Sequence, residues 1–315
     1  MTALRELARK PWLFAWLGGL GVWLATAAFT GGTGSGQVIS AALTFGAFFV
    51  IVALGQMFVI TLGPGNVDLS IPACMTLSGT VSMKTMDGMG AMLPVGLVLA
   101  LAIGLCVGAV NYALIRVLRI PPIIATLSSS FIFQSAAIWW NRGLRVKPPE
   151  ALADFTTAKV AGIPLIALLV LGLSIIIHVV LTRTIYGRSV LAIGQNMRAA
   201  HLAGIKVERM RAATYLLCAT LAGFCGFLLA GFSGGAALNM GEEYLLSSIA
   251  VVVIGGTSVA GGFANVPGLW GAALFLFLLV TMLNTFGASA GIRMVLTGVI
   301  IIGVIVAASG GRRKT

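Results

Sequence analysis

The chain has 315 residues, of which 59% are hydrophobic and 9% charged, with a formal net charge of +12. Ordinary soluble domains carry about 25% charged residues, so this composition excludes a water-soluble fold and indicates an all-α polytopic membrane protein. The basic residues are scattered over several loop ends rather than gathered in one stripe, which sets aside nucleic acid as a partner and makes them topology signals.

Met1–Lys10 carries Arg5, Arg9 and Lys10, and Pro11–Phe29 is apolar. Thr26-Ala27-Ala28 is a weak cleavage motif, but the apolar stretch exceeds a usual signal core, so a retained first span is expected. Thr30–Gln37 is an uncharged turn and Val38–Leu62 a long second span. Gly63–Ser70 interrupts the apolar run, which resumes over Leu69–Val81 as a third. Ala91–Ile115 is the fourth span, closed by Arg116, Arg119 and the Pro121-Pro122 pair. Ile123–Trp140 is the fifth, Asn141–Gly162 a polar connection, and Pro164–Leu181 the sixth.

Arg183–Arg211 is the longest polar interruption between strongly apolar segments, with six basic residues and one acid, Glu208. Asn196 fits an N-cap, Met197–Ala203 a helical run and Gly204 a left-handed stop. Ala199, Ala200 and Ala203 give that short helix a small-residue face that could dock in another protein's groove. A solvated basic loop resting on anionic headgroups is the competing reading.

Ala212–Phe232 is the seventh span, and Ser233–Tyr244 a polar loop with Glu242 and Glu243. Leu245–Ile254 runs into Gly255–Gly262, whose glycine density predicts a short or broken helix. Pro267–Phe286 and Ile292–Ala308 complete about ten spans. With N- and C-termini cytoplasmic, 14 of the 20 basic residues fall on inside loops, including Arg312, Arg313 and Lys314. Lys84, Arg142, Arg145, Lys147, Lys159 and Arg293 fall outside. That bias favours this orientation and makes residues 183–211 cytoplasmic. Residues 1–315 are expected to form a single transmembrane domain.

Two interruptions are candidates for a transport pathway. In the first, Asn66, Asp68 and Ser70 sit between membrane segments, where an ionisable residue is a functional candidate. Alternatively, Asp68 N-caps a helix starting near Leu69. The second is Gly255, Gly256 and Thr257, whose non-helical backbone needs a cavity or protein cover. The fifth span adds Thr126, Ser128, Ser129, Ser130 and Gln134, suited to sugar-like hydroxyls or to ordinary interhelical hydrogen bonds. Asn111, His178 and Asn284 are further polar residues within spans, and His178 has no carboxylate at helical spacing. Cys74, Cys106, Cys218 and Cys225 lie in apolar segments without metal-ligand spacing and are expected to be small buried hydrophobes. The chain has no phosphate loop, HExxH, GxSxG or metal-ligand cluster, so no cofactor is expected in it and any ATP hydrolysis belongs to another subunit.

Four segments resemble a known family. GNVDLS (Gly65–Ser70) resembles the GGIDLS motif of permease subunits of ribose-type sugar ABC importers. PPIIATLSSSFIFQSAA (Pro121–Ala137) resembles their PPFIATL segment. YGRSVLAIGQNMRAAHLAGI (Tyr186–Ile205) is similar to their cytoplasmic segment, and EEYLLSSIAVVVIGGTSVAGG (Glu242–Gly262) to their ELDAIAAVVIGGTSLSGG segment. The order is the family's. The departures are Pro64 before Gly65 and Ile71-Pro72 after Ser70, where the family usually has Val-Gly; these leave the start of the following helix open.

The resemblance implies a permease of the bacterial inner membrane that carries a pentose, hexose or related polyol. Its implied partners are a second permease copy or paralogue, cytoplasmic ATPase subunits that hold ATP and Mg, and a periplasmic sugar-binding protein. Gly187, Arg188, Ala192, Gly194, Asn196, Ala199, Ala200, Gly204 and Ile205 match the ATPase-facing segment. A branched-chain amino acid permease and a secondary transporter are the alternatives; the latter needs intramembrane coupling groups, for which Asp68 is the clear candidate.

Overall fold

The structure is a computed structural model that describes residues 11–141 and 146–287, then 289, 291–292, 295–296, 298–299 and 302–303. The expected basic N- and C-terminal segments, Arg142, Arg145 and Arg293, and much of the tenth expected span lie outside the described residues.

Lipid offers no hydrogen bonds, so a spanning backbone must satisfy itself, and helices do this within one segment. The described chain forms α1 (Pro11–Phe29), α2 (Ser35–Thr61), α3 (Ile71–Met86), α4 (Leu93–Arg116), α5 (Pro122–Asn141) and α6 (Glu150–Thr157). It continues with α7 (Leu165–Arg183), α8 (Ile185–Gln195), α9 (Met197–Leu202), α10 (Val207–Phe232), α11 (Tyr244–Ile254) and α12 (Val266–Thr285). Seven of these are long and apolar enough to cross a membrane: α1, α2, α4 with its preceding turn, α5, α7, α10 and α12. The other two expected spans among the described residues are shorter, α3 with 16 residues and α11 with 11.

The layers follow from how each helix distributes its side chains. α2 is enclosed on all sides from Gly46 to Thr61 apart from Phe49, and it touches α7, α10, α11 and α12. α10 packs on α2, α3 and α4, and α1 lies along α12. α5 and α7 form the outside, with Phe131, Ile132, Trp139, Ile175 and Ile176 exposed on the protein surface. An apolar outer face suits a lipid solvent.

The central crossings are close because glycines let backbones meet. A methyl group at Gly108 of α4 would stand 2.7 Å from the Tyr215 carbonyl oxygen of α10. At Gly104 it would stand 2.6 Å from the Thr220 Cα.

Three sequence expectations change. The third span begins at Ile71 rather than Leu69 and reaches Met86 rather than Val81. The N–H groups of Asp68 and Leu69 are bonded to side chains of other helices and that of Ser70 to the Asp68 side chain, so that stretch never winds into a helix. The departure at Pro72 is accommodated, because it lies in the first helical turn, where an N–H has no intrahelical acceptor. The connection Asn141–Gly162 is partly folded: α6 buries Leu152 and Thr156, and Lys159–Val160 pairs antiparallel with Ile163–Pro164. Of the cysteines, Cys74, Cys218 and Cys225 are buried as expected, but Cys106 faces outward from α4.

The α4–α10 crossing yields a stability prediction. Gly104→Leu should destabilise the protein by at least about 1–3 kcal/mol through overpacking. Gly172→Leu should be silent, because Gly172 is an exposed glycine of α7 with open space around it. Thermal unfolding of the two detergent-solubilised variants checks this; equal stability contradicts it.

Candidate functional site

Between α2 and α3 the chain is unwound: Pro64 and Gly65 are exposed, and residues 66–70 enter the bundle with Asn66, Asp68 and Ser70 buried. Each N–H of residues 68–70 is taken by a side chain. Asp68 N–H donates to Gln56 Oε1 of α2 at 3.2 Å, and Leu69 N–H donates to Thr126 Oγ1 of α5 at 3.0 Å. Ser70 N–H donates to Asp68 Oδ1 at 2.9 Å. This replaces the helical ladder and makes a non-helical strand tolerable at membrane depth.

Further hydrogen bonds tie the segment to α4 and α10 and again to α5. Ser70 Oγ donates to Asp68 Oδ1 at 2.6 Å, and Asn111 Nδ2 of α4 donates to Ser70 Oγ at 2.7 Å. Ser129 Oγ of α5 donates to Asn111 Oδ1. Tyr215 O–H of α10 donates to Asn66 Oδ1 at 3.2 Å, and Asn66 Nδ2 donates to the Gly63 carbonyl at 3.1 Å. Asp68 is 1% exposed, and its Oδ2 finds no partner among the described residues. Its carboxylate therefore works from one oxygen, as the hub of the turn. The helix-capping reading needs correction in detail: the cap position is Ser70, and Asp68 stands two residues before it, closing an Asx-type turn.

The nine pathway candidates do not share one surface. Asn66, Asp68, Ser70 and Thr126 belong to this buried network. Ser128 is exposed on the outer side of α5, whereas Gln134 Nε2 donates to the Leu238 carbonyl at 2.7 Å. Gly255, Gly256 and Thr257 are buried just beyond α11. Asn265 closes their loop, donating from Nδ2 to the Gly255 carbonyl at 2.9 Å. Gln56 was missed in the sequence; an amide deep in the apolar second half of α2, far from the helix start where Gln37 lies, was the available signal.

Residues 183–211 form two helices rather than one. The expected short one is α9, with Asn196 Oδ1 accepting from Ala199 N–H at 2.9 Å, and Gly204 follows it with φ +84°. The unforeseen one is α8, capped by Thr184, whose Oγ1 accepts from Gly187 N–H at 3.2 Å. Gly187 sits against the Val180 and Leu181 carbonyls, giving a tight elbow between α7 and α8. Tyr186 anchors α8 by its ring on Phe58, 5.6 Å between centroids, and by a 2.9 Å hydrogen bond between its hydroxyl and that of Thr214. Burial pushes the Tyr186 phenol up to about 12, so it stays neutral at physiological pH.

The docking candidates therefore divide. Arg188, Asn196, Ala199 and Gly204 are exposed, Ala192, Gly194 and Ile205 are half-buried, and Gly187 and Ala200 are buried. Leu202 at the tip of α9 is 80% exposed. Beside it an open groove of about 700 Å³ is lined by Met197, Arg198, His201, Gly204, Lys206 and Arg209. At its edge Glu208 meets Arg116 at 3.2 Å, Arg211 at 3.3 Å and the Tyr112 hydroxyl at 2.7 Å, joining the ends of α4 and α10. No group of three or more His, Cys, Asp or Glu able to hold a metal occurs among the described residues.

The Asp68 geometry separates two variants. Asp68→Asn keeps an oxygen for Ser70 and should keep its stability and transport near parental. Asp68→Ala leaves the Ser70 N–H and hydroxyl without their acceptor and should lose about 1–3 kcal/mol. Thermal stability read beside transport decides it; an inactive but stable Asn variant would mean that the negative charge itself is required.

Comparison with known proteins agrees with this architecture. Residues 38–305 match the family described as "Branched-chain amino acid transport system / permease component". The chain is 31% identical over 258 residues to the "Autoinducer 2 import system permease protein LsrC" of Enterobacter sp. (strain 638), covering 82% of this chain and 74% of that protein. It is 32% identical over 259 residues to the "Ribose import permease protein RbsC" of Bacillus subtilis (strain 168), covering 80% and 78%. It is 27% identical over 266 residues to the "Autoinducer 2 import system permease protein LsrD" of Salmonella typhimurium (strain LT2), covering 82% and 79%. No solved structure matches the chain. With seven helices able to cross a membrane and a match over most of its length, the chain is a multi-pass inner-membrane protein that belongs to this family of importer permease components.

Proposed function

We propose that this permease carries a monosaccharide, a pentose, hexose or related polyol, in an importer driven by a separate ATPase. The family description names branched-chain amino acids, whereas the relatives above are named for ribose and autoinducer 2 import. The relatives' names, together with the GNVDLS and VVIGGTS segments, favour the sugar reading over the amino acid one.

The observation that carries the division of labour is the pair α8–α9. It presents an exposed cap, an exposed leucine and a basic groove at one end of the bundle, next to the Arg116–Glu208–Arg211 cluster. In this reading that end is cytoplasmic and the pair docks in a cleft of the ATPase, which binds ATP and Mg. Gly187, Arg188, Ala192, Gly194, Asn196, Ala199, Ala200, Gly204 and Ile205 form or support the docking face. ATP binding closes the ATPase subunits, moves α8–α9 and rocks the spanning helices between outward and inward access. A second permease copy or a paralogue completes the path, and a periplasmic binding protein delivers the sugar. Residues 1–315 act as one transmembrane domain.

Ser70, Asn111, Thr126 and Ser129 bond to one another or to backbone, and only isolated atoms such as Gln56 Nε2 and Asp68 Oδ2 are left over in this network, so few groups converge to grip a sugar. The isolated chain should therefore bind any monosaccharide no tighter than about millimolar, about −4 kcal/mol. Reconstitution with its cognate ATPase and binding protein tests the whole reading. Uptake of labelled ribose, xylose, galactose and leucine is measured with ATP, and ATP-dependent uptake of one of the sugars is expected. Uptake of leucine alone would favour the amino acid reading, and micromolar sugar binding to the isolated chain by calorimetry would overturn the division of labour.

Gly204→Val probes the docking. Valine resists the left-handed conformation held at this position. The variant should insert at normal levels and lose coupled transport by roughly tenfold or more, for a strain of about 1–2 kcal/mol. Parental transport rates from a complex of normal composition would remove α9 from the docking face.

A further inference from the structure

The two unwound segments and the α8–α9 pair meet at one point. The α2 helix ends at Thr61, whose carbonyl has no donor within its helix, as for any last-turn residue. Gly262 N–H, from the loop after α11, donates to that oxygen at 3.0 Å. Gln195, the last residue of α8, donates from Nε2 to the Gly262 carbonyl at 3.3 Å.

Glycines permit this contact. A methyl group on Gly194 would collide with the Thr61 carbonyl and the Gly262 nitrogen. One on Gly261, which has φ +88°, would stand 2.5 Å from the Gly63 Cα and 2.9 Å from the Gly194 carbonyl oxygen. Three chain segments, distant in sequence, thus touch backbone to backbone at Gly194 and Gly261, with the Gln195 side chain seated on Gly262. From Gly63 the path continues in single hydrogen bonds. The Gly63 carbonyl accepts from Asn66 Nδ2, and Asn66 Oδ1 accepts from the Tyr215 hydroxyl on α10.

We propose that Gly194, Gln195, Gly261 and Gly262, seated on Thr61 and Gly63, are the positioning residues that couple α8 to both unwound segments. The proposal rests on the reading of α8–α9 as the ATPase-docking pair. Close-packed backbone has no compliant side chain to absorb a displacement, so α8 cannot shift without carrying residues 61–63 and 261–262 with it. A shift of residues 61–63 then pulls on Asn66 and the network around Asp68. The joint thus delivers one motion to both interruptions of the bundle. It also gives Gln195 a role apart from the docking residues, since its amide bonds back to the permease rather than outward.

Hydrogen–deuterium exchange on the assembled transporter in nanodiscs tests this without knowledge of the sugar. The parental permease with its ATPase is compared with and without ATP plus vanadate. Residues 62–70 and 255–265 should change exchange together. Gln195→Leu removes the donor at similar size; it should leave ATPase binding and basal ATP hydrolysis intact and reduce the response of 62–70 by roughly twofold or more. Gln195→Lys retains a donor and should restore it. Gly194→Ala wedges the joint open and should reduce the response in both segments; if it fails to fold, the Gln195 pair decides alone. A parental response of 62–70 in Gln195→Leu, or no response of this segment in the parental complex, overturns the joint. Failure of the parental permease to bind its ATPase overturns the docking reading itself, which is a separate outcome read from the composition of the complex.

Discussion

The structure depends on how a stretch of non-helical backbone is satisfied inside a membrane protein. Residues 68–70 expose three N–H groups at a depth where water is not on hand, and each group left bare there would cost several kcal/mol. Gln56, Thr126 and Asp68 supply one acceptor each. Those acceptors come from α2, from α5 and from the segment itself, so the interruption can exist only when the helices around it are already in place. Local irregularity and global packing are therefore one interaction, and Asn111, Ser129 and Tyr215 extend it to α4, α5 and α10.

The glycines serve the same end by a different route. α10 can lie against α3 and α4 because Gly104, Gly108 and Gly226 leave no side chain at the crossings. That approach brings Asn111 and Tyr215 within hydrogen-bonding reach of the unwound segment. At one end of the bundle the same device, used by Gly194 and Gly261, brings the ends of α2 and α8 and the loop after α11 into contact. In lipid there is little hydrophobic drive between helices, so close backbone contact and shared hydrogen bonds supply the association.

The class of fold was legible in the chain because lipid imposes composition and length directly. The short helix α9 was legible as well, since Asn196 and Gly204 carry cap chemistry that works over four or five residues. What could not be read was anything set by distant partners. Asp68 looked like a local cap or a pathway charge, and it became the hub of a turn because Asn111, some 43 residues away, lies over Ser70. Thr126 and Gln134 are both polar candidates of the fifth span. One satisfies Leu69 and the other ties down Leu238, a difference that only tertiary packing decides. Helix α8 has no clear local signature because Gly187 and Gly194 lower helix propensity; its stability comes from Tyr186 on Phe58 and from close seating on α7 and α2.

These assignments bear on how selectivity is distributed in the proposed importer. A sugar-binding pocket holds its ligand by converging several hydrogen-bonding groups that have no other partner. Here Ser70, Asn111, Thr126 and Ser129 already bond to one another or to backbone, and recruiting them for a sugar would break the support of the unwound segment. The polar side chains of this network are thus committed to holding the unwound segment between α2 and α3. On the proposed reading, recognition then falls to the binding protein, whose hydrogen-bonding groups are free to converge on the sugar.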